Sequence, residues 1–334
     1  MRIFRLRTAG LAALPLAALA VLAPAGSASA APDLDASASV GHAVRAQQAT
    51  LLATSSEAAT LVAADPADPA DSSLAAARTA TFRVTYNGFT PAARASFQRA
   101  VDIWSTRVVS SVPITINATF QPLGPGVLGS AGPYQVYRDF AGAPQKATWY
   151  VDAIANKRAG KQLDPHADIL ANFSSSFDNW HYAATPAPKG TYDFESVVLH
   201  ELGHGLGFLG AGRVADGKGS VRLSGYPVAY DRYTENAAGR KLVTFADPSQ
   251  VLADQITGNK LFFDSPQVRY ANDGKAAKLY APATFQPGSS YSHLDDATYR
   301  AGNRNSLMTH AIGDGETIRT PGPIMNAMFK TIGW

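Results

Sequence analysis

One short run, His200 to His204 in VVLHELGHGLGF, most constrains the local fold of this chain. Residues four apart lie on one face of an α-helix, so a helix lets His200 and His204 reach the same metal ion. Glu201 lies about 100° further around that helix, beside whatever the ion holds. Zinc with an open coordination position makes water reactive near pH 7, and a neighbouring carboxylate takes the proton. The spacing therefore predicts a metal-dependent hydrolase with Glu201 as its general base.

The residues around this run favour a helix that packs on a core. Asp193 is a suitable N-cap, and Gly205 and Gly207 are typical of a helix end. An apolar stripe at helical spacing faces away from the two histidines and consists of Val198, Leu199, Leu202 and Leu206. We therefore expect one face of the helix to be buried and the other to carry the site.

The third ligand comes from a later segment. A glycine at position 207 extends the run to HExxHxxG, which resembles the metzincin zinc proteases, where a histidine three residues further on completes the site. Here that position is Gly210, so the compact pattern is absent. His293 in SSYSHLDDATYRAGNRNSLMTHAIG precedes a Leu-Met pair that ends at Met308. A late third histidine followed by such a turn is similar to the leishmanolysin branch of that family.

This resemblance implies an enzyme that cleaves peptide bonds and holds one zinc ion through His200, His204 and His293. It implies that Glu201 is the general base and that Met308 forms a turn beneath the metal. His310, two residues later, stands where some metzincins carry a tyrosine that stabilises the transition state. A histidine there can donate a similar hydrogen bond, although a solvated loop histidine is the simpler interpretation.

The resemblance also implies a fold of the α+β class. A metzincin-like zincin has an N-terminal twisted mixed sheet with two long helices, followed by an irregular C-terminal subdomain. The long spacing to the third histidine predicts a β-containing insertion at about residues 209–292. The catalytic domain would span residues 81–334. The chain departs from the leishmanolysin branch in having no cysteine, because members of that branch are usually rich in disulfides.

Two other interpretations remain open. A gluzincin-type peptidase would take its third ligand from a downstream helix, and Glu235 in YDRYTEN is the candidate. A secreted binding or adhesion module could instead hold a zinc ion without turnover, although structural zinc sites usually have four protein ligands. A bound calcium or second zinc ion is a further possibility, although ordinary roles in turns explain the polar residues before the HELGH helix better. The candidate ligands for such an ion are Asp164, His166, Asp168, Asp178 and His181.

The first 80 residues read as two targeting and processing segments. Residues 1–30 combine a basic start, an apolar stretch and an Ala-Ser-Ala cleavage signal, as in a secretory signal peptide. Residues 31–80 are rich in alanine, aspartate and proline and contain no aromatic residue, which predicts a pro-segment or linker. Within them, residues 43–63 favour a weak alanine-rich helix. We therefore expect a secreted, extracellular protein, and the alanine-rich leader fits a bacterial source.

The charge of the chain does not favour binding to nucleic acid or to anionic membranes. The net charge of +3 resides in the three arginines of residues 1–30, so the remaining chain is neutral. A neutral chain has no electrostatic attraction for nucleic acid or anionic lipid. We expect a monomer whose partner is a protein or peptide substrate.

The first folded elements follow from simple patterns. TFRVTY alternates as a strand does, and a helix begins at Pro91 with its apolar face at Phe97, Ala100, Val101, Trp104 and Val108. Residues 113–120 predict a second strand. In the metzincin family an edge strand binds the substrate by strand addition, and residues 169–177 are the candidate for that edge.

Overall fold

The computed structural model describes residues 41–64 and 79–334, which all fall in one compact unit. The predicted signal peptide, residues 1–30, lies outside the described residues, as do residues 31–40 and 65–78. No helix of the described ranges is long and apolar enough to cross a membrane.

Helices and strands are both abundant in the described residues, as the α+β class requires. The helices are α1 (Pro91–Arg107), α2 (Asp152–Ala159), α3 (Phe194–Gly205), α4 (Gln250–Thr257), α5 (Pro266–Ala271) and α6 (Gly322–Ile332). The strands are β1 (His42–Arg45), β2 (Ala49–Thr54), β3 (Thr60–Val62), β4 (Phe82–Asn87), β5 (Ile114–Gln121), β6 (Val127–Pro133), β7 (Gln135–Arg138), β8 (Tyr150–Val151), β9 (Ile169–Ser174), β10 (Trp180–His181), β11 (Tyr192–Asp193), β12 (Arg213–Ala215), β13 (Lys218–Ser220), β14 (Thr234–Asn236), β15 (Leu261–Phe263), β16 (Ala277–Lys278), β17 (Ala311–Gly313) and β18 (Glu316–Ile318).

One six-stranded sheet organises the molecule, in the order β17-β2-β6-β9-β5-β4. Strands β4, β5 and β9 are parallel, whereas β6 runs antiparallel to β9 and β2 antiparallel to β6. Strand β17 then joins the far side of β2 in parallel. The sheet is therefore mixed, and its first and last strands come from opposite ends of the chain.

The predicted opening of strand, helix and strand is confirmed. Strand β4 leads into α1, whose N-cap Thr90 accepts a hydrogen bond from the amide of Ala93. Its apolar face is buried as expected, with Phe97 and Trp104 fully inaccessible to solvent. Because β4 and β5 are parallel neighbours, α1 is the crossover between them.

Two expectations about strands and helices are wrong. Residues 43–63 form strands β1, β2 and β3 rather than a weak helix, because each pairs with a distant strand. Residues 169–177 do not form a sheet edge, since β9 is hydrogen-bonded to β5 on one side and β6 on the other. Pairing partners far away in sequence decide both outcomes, and no local pattern encodes them.

The predicted insertion, residues 209–292, contains only short elements. Strands β14, β15 and β16 form a small antiparallel sheet, and β12 with β13 forms a hairpin. Two helices, α4 and α5, each begin at a serine N-cap that accepts a hydrogen bond from a backbone amide. The segment therefore carries strands, as expected, together with helices that the sequence patterns did not reveal.

Helix α3 lies against the sheet at very close range. Its stripe of Val198, Leu199, Leu202 and Leu206 is fully buried. The indole Nε1 of Trp104 in α1 donates to the carbonyl of Leu199 at 3.0 Å, which fixes the two helices together. At its last residue, a Cβ on Gly205 would lie 2.4 Å from Cγ2 of Ile169 in β9. Only glycine allows this helix to approach the sheet so closely.

The substitution Gly205→Ala tests this approach. We expect it to lower the free energy of unfolding by about 1–3 kcal/mol, because overpacking forces α3 away from β9. The higher helix propensity of alanine, worth about 1 kcal/mol, acts in the opposite direction. A net loss of stability would therefore show that overpacking against β9 outweighs it. Urea denaturation followed by circular dichroism measures the change.

Gly124→Ala is the matched control, because its new Cβ would have no neighbour closer than 3.8 Å. It should change stability by less than about 0.5 kcal/mol. Adding Ile169→Ala to Gly205→Ala should cost less than the two single changes together. A Gly205→Ala protein as stable as wild type would contradict the packing described.

Candidate metal centre

Helix α3 presents two histidines from a firmly anchored N-terminus. Its N-cap Asp193 accepts a hydrogen bond from the amide of Ser196 at 2.8 Å, as predicted. The guanidinium of Arg319 donates to both carboxylate oxygens of Asp193. This partly buried ion pair ties the start of α3 to the chain that follows β18. The start of the helix that carries His200 and His204 is thus fixed by a capping hydrogen bond and by an ion pair.

Three imidazoles meet at one point, as the resemblance to metzincins implies. The Nε2 atom of His204 lies 2.9 Å from that of His200 and 3.1 Å from that of His293. The Nε2 atoms of His293 and His200 are 3.3 Å apart. All three side chains are buried. Among the described residues, this is the group of histidines and carboxylates that can hold a metal ion.

Backbone carbonyls orient each of the three rings. Every Nδ1 atom lies within hydrogen-bond distance of one carbonyl oxygen: His200 of Leu307 at 2.6 Å, His204 of Phe208 at 2.8 Å and His293 of Ser289 at 2.7 Å. A carbonyl only accepts, so Nδ1 carries the proton and Nε2 carries the lone pair. Such second contacts are the usual way in which proteins hold metal-binding histidines.

The electrostatics of the cluster fit a cation at its centre. Burial, the largest cause, lowers the pKa of all three imidazoles, and it brings that of His204 to about 4. The neutral rings then point three lone pairs at one another, an arrangement that needs a shared positive charge. Zinc–nitrogen bonds of about 2.0–2.1 Å at tetrahedral angles would place the nitrogens about 3.3 Å apart. The observed separations lie within a few tenths of an ångström of that value.

The third histidine of the cluster, His293, comes from the segment before the methionine turn. The amide of Leu294 donates to the carbonyl of Met308 at 2.7 Å, which joins the His293 segment to that turn. Glu235, the alternative ligand, lies elsewhere. Its carboxylate pairs with the ammonium of Lys241 at 2.8 Å and belongs to no group of possible ligands in the described ranges. The geometry therefore favours His293 over Glu235.

Met308 packs under the histidine-bearing helix. Residues Ser306–Met308 form a single 3-10 turn, and the Met308 side chain is fully buried. A Cβ on Gly203 would lie 3.0 Å from the sulfur of Met308 and 2.5 Å from Cε of Met325. Gly203, the glycine of the HELGH run, thus leaves room for two methionines beneath the site.

Glu201 is a buried carboxylate without an ordinary partner. Neither of its oxygens has a hydrogen bond of normal geometry within the described residues. Burial, the largest cause, raises its pKa well above the usual value, while the nearby backbone amides of Leu51 and Ala131 act in the other direction. A buried polar group of this kind needs an explanation, and a role in catalysis is one.

His310 lies beside the cluster and is held by a carboxylate. Its Nδ1 is 2.6 Å from Oδ2 of Asp296, and its ring stacks on Tyr280 at a centroid distance of 3.9 Å. It is not one of the three converging ligands. Whether it acts on a transition state stays a prediction.

The candidate calcium ligands do not converge. Asp164 pairs with His166, whereas Asp168 accepts hydrogen bonds from Thr115 and Asn156. His181 contacts the carbonyl of Thr185. In the described ranges none of them joins a group of three possible ligands. Hydrogen bonds to other protein groups account for Asp164, Asp168 and His181.

Sequence reasoning missed three components of this site. The carbonyls of Leu307, Phe208 and Ser289 carry no residue-type signal, because any residue supplies a carbonyl. Gly129 in β6 was also missed, although a Cβ there would lie 2.9 Å from Cγ and Oε1 of Glu201. The sequence predicts a linker or pro-segment where the structure has strand β2, whose Leu51 amide faces Glu201.

No family model, curated protein or solved structure matches this chain. The interpretation of the site therefore rests on its own geometry. The three converging imidazoles and the buried glutamate beside them are the observations that any function must explain.

Removing one histidine tests the ligand set. We expect His293→Ala to weaken metal binding at least about 100-fold, since even a change in the contacts behind a ligand costs 10–100-fold. Competition with a chromogenic chelator measures the dissociation constant.

Glu235→Ala and His181→Ala serve as controls for this measurement. Both should bind metal as wild type does, because neither side chain belongs to the cluster. Loss of the metal in Glu235→Ala but not in His293→Ala would overturn the assignment.

Proposed function

We propose that this chain is a secreted zinc-dependent endopeptidase. The observation that carries the proposal is the meeting of three Nε2 atoms within 3.3 Å of one another, beside a buried Glu201 whose oxygens have no hydrogen bond of normal geometry within the described residues. The predicted signal peptide supports an extracellular location.

The donor set supports zinc as the metal. Imidazole nitrogen suits zinc, whereas calcium and magnesium prefer oxygen. Catalytic zinc sites have three protein ligands and leave one position open, whereas structural sites have four. In the described part of the chain no fourth histidine or carboxylate joins the three rings. This count favours catalysis over a purely structural ion.

The chemistry divides between the metal and the protein. When bound, zinc supplies Lewis acidity, which makes water nucleophilic near neutral pH and polarises a substrate carbonyl. Glu201 accepts the proton of the attacking water and delivers it to the leaving amine. The carbonyls of Leu307, Phe208 and Ser289 hold the three rings so that their Nε2 lone pairs stay directed at the centre.

The arrangement also supports the proposed likeness to metzincins. A methionine turn lies under the HExxH helix, and the third histidine reaches the site from the segment hydrogen-bonded to that turn. Helix α6 begins at Gly322, and beyond its end the indole of Trp334 donates to the carbonyl of Leu206 at 2.7 Å. The last residue is thereby bonded to the end of the histidine-bearing helix.

A second candidate is a binding module that holds zinc without turnover. Full burial of Glu201 and of the three histidines favours it, because a substrate has no direct access to a closed site. The same burial has another explanation, which concerns the strand that covers the site.

Glu201→Gln tests the catalytic role. We expect hydrolysis of quenched fluorescent peptides to fall about 100- to 10,000-fold, the usual contribution of a general base. Zinc content, measured by atomic absorption, should stay the same because Glu201 is not a ligand.

Glu57→Gln is the control, since this exposed glutamate lies outside the cluster and should leave hydrolysis unchanged. Equal turnover by Glu201→Gln and wild type would contradict the proposed mechanism. Full zinc occupancy without hydrolysis in any variant would favour the binding module.

A further inference from the structure

Strand β2 lies between β6 and β17, the two strands beside the metal centre. On one side it pairs antiparallel with β6, where Leu51 lies opposite Gly129. On the other side it pairs in parallel with β17, which follows the methionine turn, and Leu52 lies opposite Ala311. Because β2 has a partner on both edges, it joins β6 to β17 in one sheet.

Backbone hydrogen bonds connect β2 to the segments that carry the site. The amide of Leu52 donates to the carbonyl of His310 at 3.1 Å, just after the methionine turn. The amide of Thr50 donates to the carbonyl of Gly288 at 3.1 Å, just before the His293 segment. A Cβ on Gly288 would lie 2.5 Å from Oγ1 of Thr50, so this position accommodates a closely bound strand.

The centre of β2 lies over the general base. The amide of Leu51 faces the Glu201 carboxylate, and Gly129, opposite Leu51, lies against the same side chain. Leu51 itself is only 1% exposed. Glu201 and the three histidines are equally inaccessible. A substrate that is to reach Glu201 must therefore take the place of this strand.

Strand β2 resembles a bound extended peptide in its side chains and in its hydrogen bonds. Residues 46–56, AQQATLLATSS, contain no charged side chain. Main-chain hydrogen bonds to two neighbouring strands are the means by which extended peptides add to a sheet. A cavity of about 220 Å³ continues past the start of the strand, between Gln47, Gln48 and Ala49 on one side and Leu209 and Phe285 on the other.

From these contacts we infer that β6 and β17 form a two-sided slot for an extended peptide with uncharged, small or aliphatic side chains. Residues 49–54 of this chain occupy that slot and hold the metal centre closed. The inference rests on the proposed peptidase function and names both its substrate class and its regulation. A substrate replaces the hydrogen bonds of β2 one for one once the strand has left.

Leu51→Asp tests the inference, because a charge in place of this buried side chain should release β2 from the slot. We expect zinc-loaded Leu51→Asp to hydrolyse an uncharged quenched peptide at least about tenfold faster than wild type. Leu61→Asp is the matched control: this leucine of β3 lies in the same segment but is 51% exposed, so hydrolysis should stay at the wild-type rate.

Peptide binding gives a readout that does not depend on turnover. A fluorescent peptide of residues 46–56 should bind Leu51→Asp at least about tenfold more tightly than wild type, as measured by anisotropy. The same peptide carrying aspartate at the position of Leu51 should bind neither protein. Peptide binding without hydrolysis in any variant would refute the peptidase and retain the slot.

Hydrogen exchange of the wild-type chain covers the case in which Leu51→Asp fails to fold. The amides of Thr50 and Leu52 should exchange at least about 100-fold faster than those of Ile116 and Ala118 in β5, which like β2 has a partner strand on each edge, because a detachable strand opens without global unfolding. Equal protection of the two strands would overturn the inference, as would wild-type rates of hydrolysis and peptide binding in a folded Leu51→Asp. In that case β2 is a permanent part of the sheet.

Discussion

The meeting of three neutral imidazoles in a buried place is the constraint on which the rest of the site depends. Each ring has its proton on Nδ1 because a backbone carbonyl accepts it there, and each therefore directs a lone pair at the other two. Three lone pairs about 3 Å apart repel one another without a cation between them. The fold must hold the rings together, and it does so through the carbonyls of Leu307, Phe208 and Ser289, which come from three parts of the chain.

Glycine makes this assembly possible at two points around Glu201 and α3. Gly203 leaves room beneath the helix for Met308 and Met325, and Gly129 leaves room in β6 for the Glu201 side chain. Any Cβ at either position would press directly on the site. Close packing of this kind explains why Glu201 is fully buried, and burial in turn raises its pKa.

The burial of the site links the two candidate functions. A closed metal centre fits a structural ion, but the closing element is a single uncharged strand bound largely through its backbone. A peptide in the same slot would make the same hydrogen bonds, so closure by β2 and access by a substrate are alternative states of one surface. On this view the segment that contains β2 does more than link the predicted signal peptide to the proposed catalytic domain.

The sequence alone determined those features that depend on local spacing. The HELGH run requires a helix because only that geometry brings His200 and His204 to one face, and Asp193 caps it as its side-chain chemistry predicts. The alternation in β4 and the apolar face of α1 likewise need no knowledge of their partners. Only the tertiary structure decided the central position of β9, the strand conformation of residues 43–63 and the choice of His293 over Glu235 as the third converging group. Each of these depends on which distant segment lies alongside, and backbone groups common to all residues do not encode the identity of that partner in a single sequence.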